Sequence, residues 1–475
     1  MNIMDYSTDN FYDELFENNK IPHADVMPLI SHINNLQPSV LARKQKSAEL
    51  ALLQLGITFN VNGGKHGQEK IFPFDILPRI IQAKEWEKLS YGLEQRTVAL
   101  NMFVDDIYHD QRILKDKIIP AEMVLSSTSF RKECMGITPP QNIWAHINGT
   151  DLVRDDEGDF YVLEDNSRCP SGVSYVLENR VILKQTFPWA FKTMNVRPVA
   201  DYPERLLELL QSLCPDVDEP NIAILTPGIY NSAYFEHSYL AQQLGVQLVE
   251  GRDLIVESDE VFMKTTKGLE KVDVIYRRID DEYLDPLEFN PKSLLGVKGI
   301  MNAYRKGNVV LVNAPGAGIA DDKAIYSFVP DIIKYYLGEE AIIPNVKTYI
   351  CYDAKDKKYV LENLDKLVIK EVNMSGGYGI FIGRWASAQD KINIRKAIEA
   401  NPRDYIAQPI LNLSRSPTIV GKHIEGRHVD FRPFILSGKK TYVLPGGLTR
   451  VALVKNSLVV NSSQGGGSKD TWVLK

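Results

Sequence analysis

The sequence predicts an α/β protein with α+β parts. Apolar residues recur at helical spacing through residues 1–140. Short β-branched runs alternate with helical segments through residues 201–320, and strand-like runs crowd residues 321–475. The 475 residues allow roughly two to four domains. With 44% hydrophobic and 24% charged residues, the composition is that of a folded chain.

Residues 41–55 and 93–107 read as amphipathic helices, which makes residues 1–140 mostly helical. Between them, residues 71–78 carry two prolines and are expected to be extended or turned. Near Ile147 the period changes, opening a strand segment over residues 141–200. Residues 159–166 read as a strand after the turn signal at 155–158. Across residues 201–320, strands at 221–225, 246–249, 272–276 and 309–312 alternate with helices at 206–213, 234–244 and 299–304. That alternation predicts parallel, Rossmann-like packing. Residues 321–475 read as α+β, with strands near 367–372, 379–382, 406–409, 428–436, 441–444 and 458–461.

Several functions are disfavoured at once. Lys and Arg total 55 against 61 Asp and Glu, a net charge of −6, which argues against a nucleic-acid binder. No apolar run reaches the roughly 18–20 residues of a membrane helix, and Met1 to Asn10 does not read as a signal peptide. Cys134, Cys169, Cys214 and Cys351 form no CxxC pair, so a reducing cytoplasm is the simplest location. GxxxxGK[ST], HExxH and GxSxG are absent.

Four constellations carry chemistry. Glu164 and Asn166, two apart on a strand, share a face that Asp165 avoids, and Asp151 lies one hairpin arm upstream. Oxygen donors of this kind suit Mg²⁺; a solvated strand end is the plainer alternative. Lys370, in the apolar run Leu367-Val-Ile-Lys-Glu-Val372, leads into Asn373-Met-Ser-Gly-Gly-Tyr-Gly379, a loop able to close over phosphates. A snorkelling edge lysine would look the same. His428, Asp430 and Arg432 alternate onto one strand face, followed by Arg450 and the segment Asn461–Ser468. Buried arginines need anions, which an oligophosphate or a structural aspartate could supply. Finally, Asp321 or Asp322 can cap a helix-like run over residues 324–336, whose first turn holds Lys323 against the helix dipole.

Together these residues resemble the ATP-grasp superfamily of carboxylate–amine ligases, in an altered order. The Glu164-x-Asn166 strand precedes Lys370, whereas the usual order places the metal strands last. Reading from Lys323 to the C-terminus and continuing from His146 restores that order. The chain is therefore similar to the circularly permuted ATP-grasp type 2 family, also described as glutathionylspermidine-synthetase-like. The matching stretches include Leu100-Asn-Met-Phe-Val-Asp-Asp-Ile-Tyr-His109, Leu163-Glu-Asp-Asn-Ser-Arg-Cys-Pro-Ser-Gly172, Val274-Ile-Tyr-Arg-Arg278 and Ser462-Ser-Gln-Gly-Gly-Gly-Ser-Lys-Asp-Thr-Trp472.

The resemblance implies ATP and Mg²⁺ as cofactors. Lys323 and Lys370 would bind phosphate oxygens. Ser375, Gly376, Gly377 and Gly379 would form the phosphate loop, and Gln408 to Leu411 would line the adenine pocket. Asp151, Glu164 and Asn166 would hold Mg²⁺. Arg432 and Arg450 would stabilise the transferred phosphoryl group, assisted by Asn461. Arg168, Ser171, Arg277 and Arg278 would meet the substrate. The implied reaction joins a small-molecule or peptide carboxylate to an amine through an acyl phosphate, releasing ADP and phosphate. A catalytically idle nucleotide-binding module acting through protein partners and an ATP-grasp phosphotransferase are the alternatives.

Overall fold

The computed structural model describes residues 3–17, 21–60, 69–71, 73–373, 379–455, 457, 460 and 466–475, with the backbone alone at 58–60 and 69–71. Three sheets matter for the site. The largest has nine strands. Its main path runs Thr441–Val443, Phe434–Ser437, Ile147–Arg154, His423–Arg432, Leu448–Val451, Gly467–Val473 and Phe74–Ile81, with Phe160–Asn166 and Arg415–Val420 paired off it. Strands from the beginning, middle and end of the chain therefore share one sheet.

One face of this sheet packs on helix Ala83–Tyr108. Its Trp86, Leu89 and Leu93 recur at helical spacing and bury against Leu152, Phe431, Ile435 and Val473. The other face packs on helix Val173–Thr186, through Val176, Leu177 and Leu183 against Phe434, Leu448 and Trp472. A bulge lies between Lys469 and Thr471, opposite the stretch that holds Pro78. Strand Phe74–Ile81 ends the sheet path, where a residue without an N–H is tolerated.

The second sheet is all parallel, in the order Val310–Val312, Val274–Arg277, Ile222–Leu225, Gln247–Val249. Helix Tyr234–Leu244 makes one crossover and stops at Gly245, whose φ of +69° is the left-handed C-terminal position that glycine adopts without strain. The Rossmann-like expectation is met here. An antiparallel meander over Leu254–Glu257, Glu260–Thr265 and Gly268–Lys271 was not anticipated by the sequence pattern.

The third sheet has the order Tyr349–Ile350, Tyr405–Pro409, Leu367–Glu371, Ile380–Ile382. Helices Ala354–Glu362 and Ala388–Ala400 supply Val360 and Ile398 to a core with Leu367, Ile369 and Ala407.

Two local expectations are corrected. The run over 324–336 is two helices, Lys323–Tyr326 and Val329–Leu337, with Pro330 in the first turn of the second. The strand over 428–436 divides at Pro433, which has no N–H for a ladder. The helical N-terminal region also gives strand Phe74–Ile81 to the large sheet. The strand near 458–461 falls largely outside the described residues. No described helix is long and apolar enough to cross a membrane.

Candidate nucleotide and metal site

Strands Ile147–Arg154 and Phe160–Asn166 pair antiparallel, with Asp151 opposite Glu164 and Gly149 opposite Asn166. The Asn166 Nδ2 lies 3.3 Å from Asp151 Oδ1, so Asp151, Glu164 and Asn166 share a face. Asp165 points the other way. Arg96 of helix Ala83–Tyr108 donates to both its oxygens at 2.7 Å and reaches Asn345 Oδ1 at 2.7 Å. This buried pair fixes the strand from behind.

Cations converge on the front. Lys323 Nζ lies 3.5 Å from Glu164 Oε2. Lys370, on the third sheet, is buried. Burial pushes its ammonium pKa down to about 8. Lys323 adds to that fall, while the charges of Glu164 and Asp151 oppose it. Lys370, Lys323, Glu164 and Asp151 therefore feel one another across the junction of two sheets.

Arg432 and Arg450 both grip Asp151. Arg432 Nη2 donates to Oδ2 at 2.8 Å, and Arg450 Nη2 donates to the same oxygen at 2.6 Å. Arg450 also holds its cross-strand partner Asp430, with Nε 3.0 and 2.9 Å from the two oxygens. Burial opposes ionisation of Asp151, but the two guanidiniums outweigh it and hold its carboxyl well below the usual range. His428 stands apart, its Nδ1 against the Leu413 carbonyl at 2.8 Å.

The donor set fits Mg²⁺. Two carboxylates and an amide oxygen are hard donors, few enough to leave positions for phosphates and water. Among the described residues, no group of three or more His, Cys, Asp or Glu gathers as a metal site. Since Asp151 is engaged by two arginines, Glu164 and Asn166 are the more accessible oxygen donors of the three.

The loop from Ser167 to Gly172 is held on every side. Asn313 Nδ2 donates to the carbonyls of Ser167 and Ile147, both at 2.6 Å. Asp321 accepts from the Ser167 and Arg168 amides. Burial pushes its carboxyl up to about 7, against the lowering effect of Arg168. Asp322, not Asp321, caps the following helix. Glu236 accepts from the Gly172 amide at 2.7 Å and the Ser174 amide at 3.1 Å. Arg432 Nη1 reaches the Ser171 carbonyl at 3.3 Å.

The expected substrate contacts at Arg277 and Arg278 are corrected. Arg277 is fully buried, bonding the Asn313, Ile279 and Ala314 carbonyls and pairing with Asp281 at 2.7 Å. Arg278 bonds the Pro170 carbonyl, the Tyr276 hydroxyl, Ser171 Oγ and Glu236. Arg278 therefore braces the loop, whereas Arg277 ties the end of its own strand to the 313–314 carbonyls and Asp281. Arg168 is partly exposed, with Nε 3.2 Å from Asp280.

Gln408 is buried and donates to Thr348 Oγ1 at 3.0 Å. Leu411 packs beside Val153, Val346 and Leu413. Gly379 stands in the turn before strand Ile380–Ile382. Ser375, Gly376, Gly377 and Asn461 lie outside the described residues. Lys469 and Asp470 of the last motif are structural. Lys469 pairs with Asp75 at 2.6 Å, and Asp470 accepts from Arg180 at 2.8 Å and Trp472 at 2.7 Å. Arg96, Asn313, Asp321 and Glu236 were not singled out as site-positioning groups, because each bonds partners far away in sequence.

Comparison with known proteins places this geometry in context. The chain is 55% identical over 477 residues to an uncharacterized protein of Synechocystis, covering 100% of this chain and 99% of that one. It is 38% identical over 465 residues to a Frankia alni protein provisionally named a glutamate–cysteine ligase, covering 97% of this chain and 54% of that one. A glutathione synthetase-like effector from Globodera pallida, solved in apo form, has the same fold. It matches with a TM-score of 0.61 at 12% identity, covering 93% of this chain and 98% of that chain. A family model described as circularly permuted ATP-grasp type 2 matches residues 78–452, and the chain belongs to that family.

Proposed function

We propose that this protein is an ATP-dependent carboxylate–amine ligase that forms an amide or peptide bond through an acyl phosphate. The observation that carries the reading is the convergence of Lys323, Lys370, Glu164, Asp151, Arg432 and Arg450 from separate parts of the chain. The family and the ligase-named relative support it at the level of reaction class.

In this reading Lys323 and Lys370 bind nucleotide phosphates, aided by the 375–379 loop. The segment from Gln408 to Leu411 faces the adenine. Glu164 and Asn166, with Asp151 beside them, hold Mg²⁺, which when bound neutralises phosphate charge. The substrate carboxylate attacks the γ-phosphorus, ADP leaves, and an amine then displaces phosphate from the acyl carbon. Arg432 offers a planar, permanently charged fork to the transferred group. Arg450, held by Asp430 and Asp151, keeps positive charge beneath it. Arg168 and Ser171 stand nearest the acceptor, while Arg278 positions their loop. The chain supplies position and charge, and needs no protein nucleophile. The substrates are small carboxylates and amines, with no nucleic acid or membrane partner, and the expected location is the cytoplasm.

The test is incubation with MgATP and pools of amino acids and peptides, followed by mass spectrometry and hydroxylamine trapping. A carboxylate-dependent hydroxamate with ADP is expected. A stable phosphorylated product would favour a phosphotransferase. ATP binding without turnover on any pool would favour a binding module. Release of AMP and pyrophosphate would overturn the acyl-phosphate route.

A further inference from the structure

A separate cavity of about 520 Å³ lies among the end of helix Pro38–Gln54, helix Val173–Thr186 and helix Tyr234–Leu244. None of its lining residues belongs to the candidate nucleotide site. Its volume is in the range of small-molecule sites.

Aromatic rings form one wall. Phe235 stacks on Tyr175 at 6.0 Å and on Tyr239 at 5.8 Å, both pairs tilted by 29°. Tyr175 is buried and anchors the row, while Phe235 and Tyr239 line the cavity. Glu178, one helical turn beyond Tyr175, sets its carboxyl against the Tyr239 hydroxyl. The other polar groups lining the space are amides and hydroxyls, such as Asn231, Ser238 and Gln242.

What the cavity lacks in charge defines its ligand. Among its described lining residues there is no Lys, Arg or His. The helix positions three and four residues from Glu178 are Ser174, Tyr175, Val181 and Ile182, so no i,i+4 cation serves it. Arg180 points elsewhere, to Asp470. Glu178 is thus a largely buried carboxylate beside aromatic rings, with a phenol as its protein partner. Burial raises its carboxyl pKa, against the lowering effect of Tyr239. A cation seated here would meet one carboxylate with the Phe235 and Tyr239 rings beside it. An anion would meet Glu178 with no cationic side chain among the described lining residues to balance it.

We propose that this cavity binds an organic ammonium ion carrying an apolar body. The ammonium sits between Glu178 and the rings of Phe235 and Tyr239, and the apolar part lies along the rings. This site stands independently of the reaction proposed above, because its residues touch none of the groups assigned to ATP.

The test is calorimetric titration at neutral pH with 2-phenylethylamine, its neutral analogue 2-phenylethanol and the anion phenylacetate. Saturable binding of the amine alone is expected. Glu178→Gln preserves shape and should weaken the amine about tenfold or more, the usual scale for losing a charged hydrogen bond. Tyr239→Leu should weaken it as well, whereas Tyr239→Phe keeps the ring and should retain most of the affinity. Far-ultraviolet circular dichroism confirms that each variant is folded. Equal binding of the alcohol, preference for the anion, unchanged amine affinity in folded Glu178→Gln, or no saturable amine binding to wild type would each overturn the proposal.

Discussion

Arg432 and Asp151 are locked together across two strands of the large sheet, with Nη2 donating to Oδ2 at 2.8 Å and Nε to Oδ1. Arg450 binds the same carboxylate and Asp430 beside it. Two aspartates and two arginines thus form a neutral cluster at the floor of the candidate site. Such a cluster tolerates burial only when every member keeps its partners.

Removing one charge from that cluster should be costly. Asp151→Asn leaves Arg432 without its carboxylate, while Arg450 keeps Asp430. The expected loss is at the lower end of ~3–5 kcal/mol, measured by urea unfolding. The pH dependence has a definite sign. The folded-state pKa of Asp151 is depressed below 3.8, so its contribution is complete above that value and disappears as pH falls below it. The difference in stability between wild type and Asp151→Asn should shrink in strong acid. A difference that stays constant to the lowest accessible pH would contradict the ion-pair assignment.

Lys370 supplies a second pH signature, with opposite signs for binding and stability. Its folded pKa is about 8, against an ordinary 10.5. Between those values the unfolded chain holds the proton more tightly, so this group makes the fold more stable as pH rises. Phosphate binding needs the ammonium, so ATP affinity should fall as pH rises through about 8. Lys370→Arg stays charged and should flatten that fall. Titration of a fluorescent ATP analogue from neutral to alkaline pH measures both proteins. Parallel profiles would remove Lys370 from phosphate binding.

Arg96 is predicted to position the metal strand without touching nucleotide. Arg96→Met leaves Asp165 buried and unpaired, at a cost of about 3–5 kcal/mol. In a double variant with Asp165→Asn, much of that loss should be recovered, because the isolated charge is gone. Chemical denaturation of the two single variants and the double variant gives the coupling. If their effects simply add, Arg96 does not act through Asp165.

The sequence pattern was informative where chemistry was local. The short runs at Ile222–Leu225, Val274–Arg277 and Val310–Val312 announced a parallel sheet, and it is there. Alternation alone placed Glu164 and Asn166 on the face opposite Asp165. Long-range features were not legible. The two prolines of residues 71–78 announced an extended or turned segment, but not that Pro78 would lie at a bulge at the end of a sheet path, where a missing N–H is harmless. Arg96 looked like any arginine on an amphipathic helix. Its partner Asp165 is 69 residues away. Arg277 and Arg278 looked like substrate ligands because they are polar and end a stretch that resembles the family. In the fold they are buried, and meet partners as remote in sequence as the Ala314 carbonyl and Glu236.

Two of the cationic groups at the site, Lys370 and Arg432, should fail in different ways. Lys370 belongs to the third sheet and is assigned to nucleotide phosphate, so Lys370→Met should lose ATP binding itself. Arg432 belongs to the large sheet, joins Asp151 to the Ser171 carbonyl and keeps 16% of its side chain exposed. It stands between strand Ile147–Arg154 and the Ser167–Gly172 loop. Arg432→Lys keeps a charge but loses the fork, so it should bind ATP nearly normally. Carboxylate transfer should nevertheless fall, by as much as the ~10²–10³ typical of losing one transition-state donor. Calorimetry with ATP and hydroxylamine trapping with a competent carboxylate separate the two effects. If Arg432→Lys loses ATP binding as completely as Lys370→Met, Arg432 belongs with the nucleotide. If it traps hydroxamate at the wild-type rate, the fork plays no part in transfer and the acyl-phosphate assignment loses its principal donor.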